Sequence, residues 1–278
     1  MTILTFTAVV WTGATLAGLL GSLTGLGGGV VLVPMLTLLL GVDIHYAIGA
    51  SLVSVIATSS GAAVAYLREG FTNMRIGMFL ELATTLGATG GALLAAVVSP
   101  ASLAIVFGLV LLSSVYFTTQ RRTPEQRALP SDRWALRLRM EGSYPTPAGE
   151  EHYHVRHVPI GFGLMAIAGA LSGLLGIGSG AMKVLAMDRA MGLPFKVSTT
   201  TSNFMIGVTA AASAGVYLNR GYIDPGLAMP AMLGVLLGSL VGARYLPHAE
   251  SRVLRLIFAV VIFGLGVEMI FKGLTGRL

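Results

Sequence analysis

The chain has no cysteine and few charged residues. Cysteine is absent from all 278 residues, and only 11% of them are charged. Without cysteine there is no disulfide framework, no thiolate metal site and no cysteine nucleophile. Soluble domains carry roughly 25% charged residues, so an ordinary soluble protein is excluded. Asp, Glu, Lys, Arg and His are all missing from residues 1–42. We therefore expect the first apolar run to stay in the membrane, because a signal peptide needs a basic first segment.

Apolar residues and glycine dominate instead. Hydrophobic residues make up 54% of the chain, which also contains 37 glycines, and the mean hydropathy is +0.81. The net charge of +6 would suggest nucleic-acid binding if the charges were clustered on one surface. They lie between apolar runs, which is a signature of membrane topology. The composition predicts an all-α polytopic membrane protein whose partner is the lipid bilayer and not nucleic acid.

Apolar runs of two lengths predict two kinds of membrane segment. A helix needs about 20 apolar residues to cross the hydrocarbon core. Runs close to that length lie at about 3–24, 46–67, 76–98, 101–118, 160–175, 197–218, 226–243 and 253–271. Two shorter runs, at about 30–42 and 181–192, would reach only about 18–20 Å as helices, so we interpret them as half-helices. In total we expect about 8–10 membrane segments.

Each half-helix follows a glycine cluster that breaks the chain. The first cluster contains Gly25, Gly27, Gly28 and Gly29, and the second contains Gly176, Gly178, Ser179 and Gly180. The positive-inside rule distinguishes two topologies, in which each broken element either crosses the membrane or turns back as a hairpin. Hairpins place 14 Lys and Arg residues on one side against three on the other, whereas crossings give 12 against five. The hairpin topology puts both termini outside and the 119–158 linker in the cytoplasm.

The chain contains an internal repeat with an offset of 151 residues. Without a gap, residues from about 23 to 109 align with the second half. Matching pairs include Gly25 with Gly176, Gly27 with Gly178, Gly29 with Gly180, Ser51 with Ser202, Thr58 with Thr209, and Gly87 with Gly238. We therefore divide the chain into a first membrane repeat (1–118), the linker (119–158) and a second membrane repeat (159–278). An odd number of passes per half would make the repeats inverted, as in many secondary transporters.

The paired glycine breaks predict a binding site for a small anion. A half-helix that starts near the midplane presents unpaired N–H groups and the positive end of its dipole. Inverted copies would direct two such ends at one point. The alternative is that the glycines only allow helices to pack closely, which suits a second set of glycines inside full-length spans better: Gly87, Gly90, Gly91, Gly234, Gly238 and Gly242.

Two ionisable residues are further candidates. Lys183 falls in the first turn of the second half-helix, where a charge costs about 2.5–3.5 kcal/mol and is a functional candidate by default. Its alternatives are snorkelling to the interface or pairing with Glu81. Glu81 lies inside the third full span and is our candidate for proton coupling, with a pairing role beside Arg75 as its alternative.

Hydroxyl and amide side chains opposite the half-helices would supply neutral donors. We select Ser51, Thr201, Ser202 and Asn203 as substrate-binding candidates. The alternative for each is an ordinary hydrogen bond to the backbone of its own or a neighbouring helix.

The linker carries a period-two pattern. Trp134, Leu136, Leu138 and Met140 alternate as in a strand, and Tyr153 and Val155 resume a weaker alternation after the turn-rich residues 142–149. These patterns predict a β-hairpin. We expect His152, His154 and His157 to be solvated, and we expect no metal and no cofactor. The sequence contains no recognisable motif of a common hydrolase or of a primary pump, so we do not expect an enzyme.

The glycine motifs resemble the TauE/SafE sulfite exporter family, also called the toluene sulfonate uptake permease family. The resemblance is carried by GSLTGLGGGVVLVP at 21–34, GLLGIGSG at 173–180 and KVSTTTSNF at 196–204. It implies a prokaryotic cell-membrane protein that moves small sulfur-containing anions, such as sulfite or organosulfonates, with coupling to protons. The chain departs from the family pattern at Ser179, which replaces a glycine, at Leu185, which stands at the repeat position of Pro34, and at Lys183.

The sequence therefore favours a secondary transporter, for export or uptake, of a small anion such as sulfite or an organosulfonate. The alternatives are a passive anion channel and a membrane scaffold subunit that transports nothing. Direction, stoichiometry and oligomeric state stay open, with a homodimer as one option.

Overall fold

The computed structural model describes residues 2–24, 28–68, 71–119, 131–146, 149–245 and 251–276. Within these ranges the chain forms eleven α-helices and one two-stranded sheet. The helices are α1 (Ile3–Thr24), α2 (Gly29–Pro34), α3 (Ile44–Arg68), α4 (Met74–Ala95), α5 (Pro100–Thr119), α6 (Arg133–Arg137), α7 (Val158–Leu175), α8 (Gly180–Leu185), α9 (Phe195–Asn219), α10 (Pro225–Tyr245) and α11 (Ser251–Thr275). The strands are β1 (Gly142–Thr146) and β2 (Gly149–Tyr153).

Helices long and apolar enough to cross a membrane confirm the predicted class. Among the described residues, four segments meet both requirements: Ile3–Gly21, Met74–Ala95, Val158–Leu175 and Pro225–Gly242. Large apolar side chains on their outer faces are exposed, for example Leu16, Leu86 and Ile167. Such a surface would be unfavourable in water and suits contact with lipid. The protein is an all-α polytopic membrane protein.

The two half-helices have the same unusual shape. α2 continues into a π-helical turn at Met35–Leu39, and α8 continues into one at Ala186–Ala190. Pro34 precedes the first wide turn, but Leu185 stands at the same place before the second. The wide turn therefore does not depend on proline. Gly41 and Gly192 follow the two elements with φ of +64° and +75°, a conformation that glycine adopts readily at helix ends.

The helices follow the 151-residue offset found in the sequence. Starting residues that differ by 151 are Gly29 and Gly180, Ile44 and Phe195, Met74 and Pro225, and Pro100 and Ser251. The repeats also exchange helices: α1 packs mainly on α10, and α7 packs mainly on α4. The first helix of each repeat therefore packs mainly on a helix of the other repeat.

Glycines make these exchanged contacts close. A Cβ at Gly87 or Gly91 on α4 would meet the backbone of Ala166 or Ala170 on α7. In the same way, a Cβ at Gly238 on α10 would meet the Thr15 carbonyl on α1. These glycines lie at helix contacts, as small residues commonly do in membrane helices.

The equivalent helices α5 and α11 run in opposite directions. Gly108 lies against Gly266, whereas Gly273 lies against the Ala101 carbonyl. Higher residue numbers on one helix thus lie beside lower numbers on the other. An operation that converts one repeat into the other must therefore reverse the direction of this helix.

The linker forms a hairpin at a different place from the one expected. The strands are Gly142–Thr146 and Gly149–Tyr153, paired antiparallel with Gly142 opposite Tyr153. The prediction of a strand at 134–140 is wrong, because this segment begins with α6. The Asp132 carboxylate accepts a hydrogen bond from the Ala135 N–H at 2.7 Å and caps the helix. Trp134 and Leu136 are both exposed, so the alternation there does not mark a buried face.

The hairpin packs on one end of the helical bundle. Tyr144 and Tyr153 belong to a buried apolar cluster with Ile76 of α4 and Met187 of the second π-helical turn. The Asn73 amide donates to the Tyr153 hydroxyl at 2.7 Å. Burial raises the pKa of the Tyr153 phenol above its ordinary value. The linker is therefore attached to the end of the bundle where α4 begins.

We expect two neighbouring glycines of α4 to respond oppositely to alanine. Gly91→Ala places a methyl group against the Ala170 backbone, whereas a Cβ at Gly90 has nothing within 4 Å. Overpacking should destabilise the Gly91→Ala protein by about 1–3 kcal/mol. Gly90→Ala should be neutral or stabilising by up to about 1 kcal/mol, because alanine has the higher helix propensity. Thermal unfolding of the two variants in detergent measures the difference, and equal melting temperatures would contradict this packing.

Candidate functional site

The two glycine breaks meet inside the molecule. The Ser51 hydroxyl on α3 donates to the Gly176 carbonyl at 2.7 Å. A Cβ at Gly29 would lie 2.5 Å from the Ser51 oxygen and 3.1 Å from the Gly176 carbonyl oxygen. The start of α2 therefore touches the break before α8. Glycine is required at residue 29 because any side chain there would separate the two breaks.

The second break has a left-handed backbone. Gly176, Gly178 and Ser179 have φ of +67°, +70° and +44°. The conformation costs an L-residue such as Ser179 about 1–2 kcal/mol, and such strain persists only where the surroundings impose it. The Ser179 hydroxyl is buried and has no hydrogen-bond partner among the described residues. A strained serine with an unsatisfied hydroxyl at the start of α8 is a candidate contact for a ligand.

The remaining glycine candidates flank these positions. Gly180 begins α8, and its carbonyl accepts a hydrogen bond from Ser202 at 3.3 Å. Gly28 precedes α2 with an ordinary right-handed φ of −67°, and a Cβ there would lie 2.6 Å from Val235. Gly25 and Gly27, also predicted to bind substrate, lie outside the described residues.

Lys183 is fully buried and extends toward the break. Ser202 bonds to Gly180, and a Cβ at Gly178 would lie 3.1 Å from Ile206. α9 therefore runs antiparallel to the segment that contains the break and α8: higher residue numbers on α9 lie beside lower numbers on that segment. The Lys183 ammonium donates to Thr209 at 2.5 Å, so its side chain points back toward the start of its helix, as long helical side chains do. Lys183 therefore does not snorkel to the interface at the other end of the half-helix.

Thr209 connects Lys183 to Glu81. Its hydroxyl lies 2.7 Å from Glu81 Oε1 on α4 and 3.0 Å from the Met205 carbonyl. Thr85 also donates to Glu81 Oε1, at 3.1 Å. The other carboxylate oxygen, Oε2, is buried without a hydrogen-bond partner in the described part of the chain. The arrangement is a buried ammonium and a buried carboxylate bridged by one hydroxyl, with one carboxylate oxygen left unsatisfied.

Thr201 and Asn203 differ from Ser51 and Ser202 in their surroundings. The Thr201 hydroxyl accepts a hydrogen bond at 3.1 Å from the N–H of Asn73, the residue that precedes α4. It lies near the end that the hairpin covers and is not brought to the break. Asn203 is half-buried on α9, one residue after Ser202.

Thr209 is not among the residues predicted from the sequence. The repeat offset pairs it with Thr58, whose hydroxyl bonds to its own helix, at the Ser54 and Val55 carbonyls. This pairing with Thr58 was the sequence signal that could have pointed to Thr209. The role of Thr209 depends on α4 and α8 lying on either side of it, and this packing cannot be read from one helix.

Two of the three linker histidines lie within hydrogen-bond distance of protein groups. His154 Nδ1 lies 2.9 Å from Glu141 Oε1, and His157 Nδ1 lies 3.2 Å from the Ala190 carbonyl. No group of three or more metal-binding side chains occurs in the described ranges.

Comparison with known proteins identifies the family. The profile of the family described as "Sulfite exporter TauE/SafE" matches residues 10–269. The chain belongs to the TauE/SafE family. The probable membrane transporter protein YunE of Bacillus subtilis is 26% identical over 268 residues, covering 93% of this chain and 95% of YunE. A probable membrane transporter protein of Xylella fastidiosa (strain 9a5c) is 26% identical, covering 98% and 97% of the two chains. No solved structure matches significantly.

These TauE/SafE relatives are named as membrane transporters, and none of their names is that of an enzyme. YdhB of Bacillus subtilis, a probable membrane transporter protein, is 27% identical and covers 83% of this chain and 86% of its own length. The protein is a multi-pass membrane transporter of the TauE/SafE type.

The bridge through Thr209 can be tested with a double-mutant cycle. Lys183→Met leaves a buried carboxylate and Glu81→Gln leaves a buried ammonium, so each single change should destabilise the protein. The double variant has no unpaired charge and should be more stable than the sum of the single effects predicts. We expect a coupling free energy of about 0.5–3 kcal/mol. Unfolding in detergent measures it, and additive effects would show that the two charges do not interact.

Proposed function

We propose that the protein is a secondary transporter of a small anion, with sulfite or an organosulfonate as the substrate. The anion binds where the two glycine breaks meet, and transport is coupled to protons through Glu81. The observation that carries the proposal is the meeting of Gly29 with Ser51 and Gly176, with the buried ammonium of Lys183 extending toward the same level.

Inverted repeats would give this site its access to both sides. α5 and α11 are equivalent in sequence and antiparallel, which supports an axis that lies in the plane of the membrane. Secondary transporters with inverted repeats bind substrate near the midplane at the repeat interface, where half-helices begin. Alternating access then follows from rocking one repeat against the other around the fixed site.

The chemistry of the break suits an oxyanion. The N–H groups at the start of α8 have no partners within their own helix, and the unsatisfied Ser179 hydroxyl is a further donor. Lys183 adds positive charge. A sulfite or sulfonate group carries three oxygens that accept such hydrogen bonds, which replace those lost from water.

The presence of Glu81 favours a coupled transporter over a passive channel. A channel needs an anion site, but it gains nothing from a buried carboxylate with an unsatisfied oxygen. Intramembrane carboxylates are costly and mark proton pathways in many transporters. A scaffold subunit without transport would require neither group.

The orientation follows from the charge distribution. We propose a prokaryotic inner-membrane location with the termini outside and the 119–158 linker, with its seven arginines, in the cytoplasm. The hairpin would then cover the cytoplasmic end of the second repeat.

We expect Lys183→Met to reduce sulfite uptake into proteoliposomes by about tenfold or more, because a hydrogen bond to a charged group contributes about 1.5–3 kcal/mol. Lys196→Met is the matched control, since Lys196 is exposed on α9, and it should transport normally. An acidic exterior should accelerate uptake by the wild-type protein. Unchanged uptake by Lys183→Met would contradict the proposed site, and uptake by the wild type that ignores the pH gradient would indicate a channel.

A further inference from the structure

Lys183, Thr209 and Glu81 define how charge is compensated inside the transporter. We propose that Glu81 and the bound anion compete for Lys183, so that each monovalent anion binds together with one proton taken up by Glu81. The proposal rests on the proposed anion site and specifies its coupling and its substrate class. The substrate is a monovalent oxyanion, such as a sulfonate or hydrogen sulfite, in preference to a dianion such as sulfate.

The described interior holds one charged side chain of each sign. Among the described residues, two of the Lys, Arg, Asp and Glu side chains are buried, those of Lys183 and Glu81. One is a cation and the other is an anion, so the empty site is neutral overall. An uncompensated charge at this depth would cost several kcal/mol. The site therefore tolerates a bound anion only if another negative charge is lost.

The Glu81 carboxylate has one oxygen that can take a proton. Oε1 accepts from Thr209 and Thr85, at 2.7 and 3.1 Å, whereas Oε2 has no partner in the described part of the chain. Protonation forms an O–H bond at Oε2 and leaves the two bonds to Oε1 in place. The carboxyl group becomes neutral, and Lys183 then has the anion as its counter-ion. The proton comes from the water on the side from which the anion enters.

Among the described residues, the other titratable groups on α4 and on the elements packed against it have these surroundings. On α4 itself, Arg75 donates to the Arg139 carbonyl of the linker. The described residues of α7 include no titratable side chain, and on α9 Lys196 lies over the Phe71 ring near the start of the helix. Asp188 and Arg189 lie in the π-helical turn, more than one turn beyond Lys183. Tyr153 faces Asn73 from the linker.

The charge of the site limits the charge of the substrate. Lys183 with protonated Glu81 carries one positive charge, which one monovalent anion cancels. A dianion would leave the loaded site negative, and a neutral ligand would leave it positive. Among anions that bind with one proton, only a monoanion leaves both the empty and the loaded sites neutral, so only a monoanion crosses without moving net charge.

The first repeat shows that this arrangement is confined to one side of the pseudosymmetric site. At the repeat positions of Lys183 and Glu81 stand Leu32, which is buried, and Met232, which is half-buried. Thr58 takes the place of Thr209 and bonds to its own helix. One ammonium, one carboxylate and one proton therefore suffice for each transport cycle.

Calorimetry with the purified full-length protein tests the proposal. Methanesulfonate is the probe because it stays a monoanion at every pH used, and titrations in buffers of different ionisation enthalpy count the protons bound. We expect about one proton taken up per anion by the wild-type protein near neutral pH. The Kd should rise about tenfold per pH unit where Glu81 is ionised. Sulfate should bind at least about tenfold more weakly.

Two variants make the test specific. Glu81→Gln should bind methanesulfonate with no proton uptake and with a Kd independent of pH. Glu268→Gln removes a carboxylate that is half-exposed on α11 and should keep the wild-type proton uptake. If Glu81→Gln does not fold, the double variant Lys183→Gln with Glu81→Gln has no unpaired charge and should bind no methanesulfonate.

The outcomes separate this proposal from the proposed function. Anion binding by the wild type without proton uptake, unchanged proton uptake in Glu81→Gln, or methanesulfonate binding by the double variant would overturn the competition for Lys183. Proton-linked binding without flux in proteoliposomes would support the competition and overturn transport. Flux without proton linkage would overturn the competition alone. Absence of binding and flux for both methanesulfonate and sulfite would overturn both.

Discussion

The hydrogen bond from Ser51 to the Gly176 carbonyl joins the two halves of the protein at the glycine breaks that interrupt their helices. Within lipid, a polypeptide can leave the helical conformation only where protein or enclosed water satisfies its polar groups. Here a helix of the first repeat satisfies the break of the second, and the start of α2 lies against the same carbonyl. The residues that begin the two half-helices, Gly29 and Gly180, are both buried beside this contact.

A nearly symmetric scaffold carries an asymmetric charge. Helices with the same offset pack in exchanged pairs, and the half-helices share the same π-helical turns. Lys183, Glu81 and the bridging Thr209 belong to one side of this arrangement, and the hairpin covers the end of the bundle beside them. In the proposed transport cycle, this symmetry would let the site face either side of the membrane. The asymmetry accounts for a specific charge at that site, so the two features have different roles.

The elements that local rules govern could be predicted from the sequence. Glycine breaks mark where helices cannot continue, and the repeat offset of 151 residues locates the starts of α2, α3, α4 and α5 in the second half as well. The strand expected at Trp134–Met140 was wrong because a capping carboxylate, Asp132, begins a helix there. The alternating residues do not share one environment, since Trp134 and Leu136 are exposed whereas Met140 is buried.

The details of the site depended on contacts between distant residues. Ser51 bonds to a carbonyl of the other repeat, and Thr201 lies with Asn73 near the linker; neither contact could be read from the sequence. Thr209 bridges groups on α4 and α8. A hydroxyl in a helix has the same sequence signature whether it bonds to its own backbone or to another helix. The partner is fixed only by packing.

Because the chain has no cysteine, one introduced thiol can report directly on the break. Ser179→Cys places that thiol at the start of α8, and Ser113→Cys on α5 serves as the control. If an anion binds where the breaks meet, saturating methanesulfonate should slow alkylation of the thiol at residue 179 severalfold and leave the control unchanged. Equal alkylation rates with and without an anion that the protein demonstrably transports would contradict a binding site at the paired breaks.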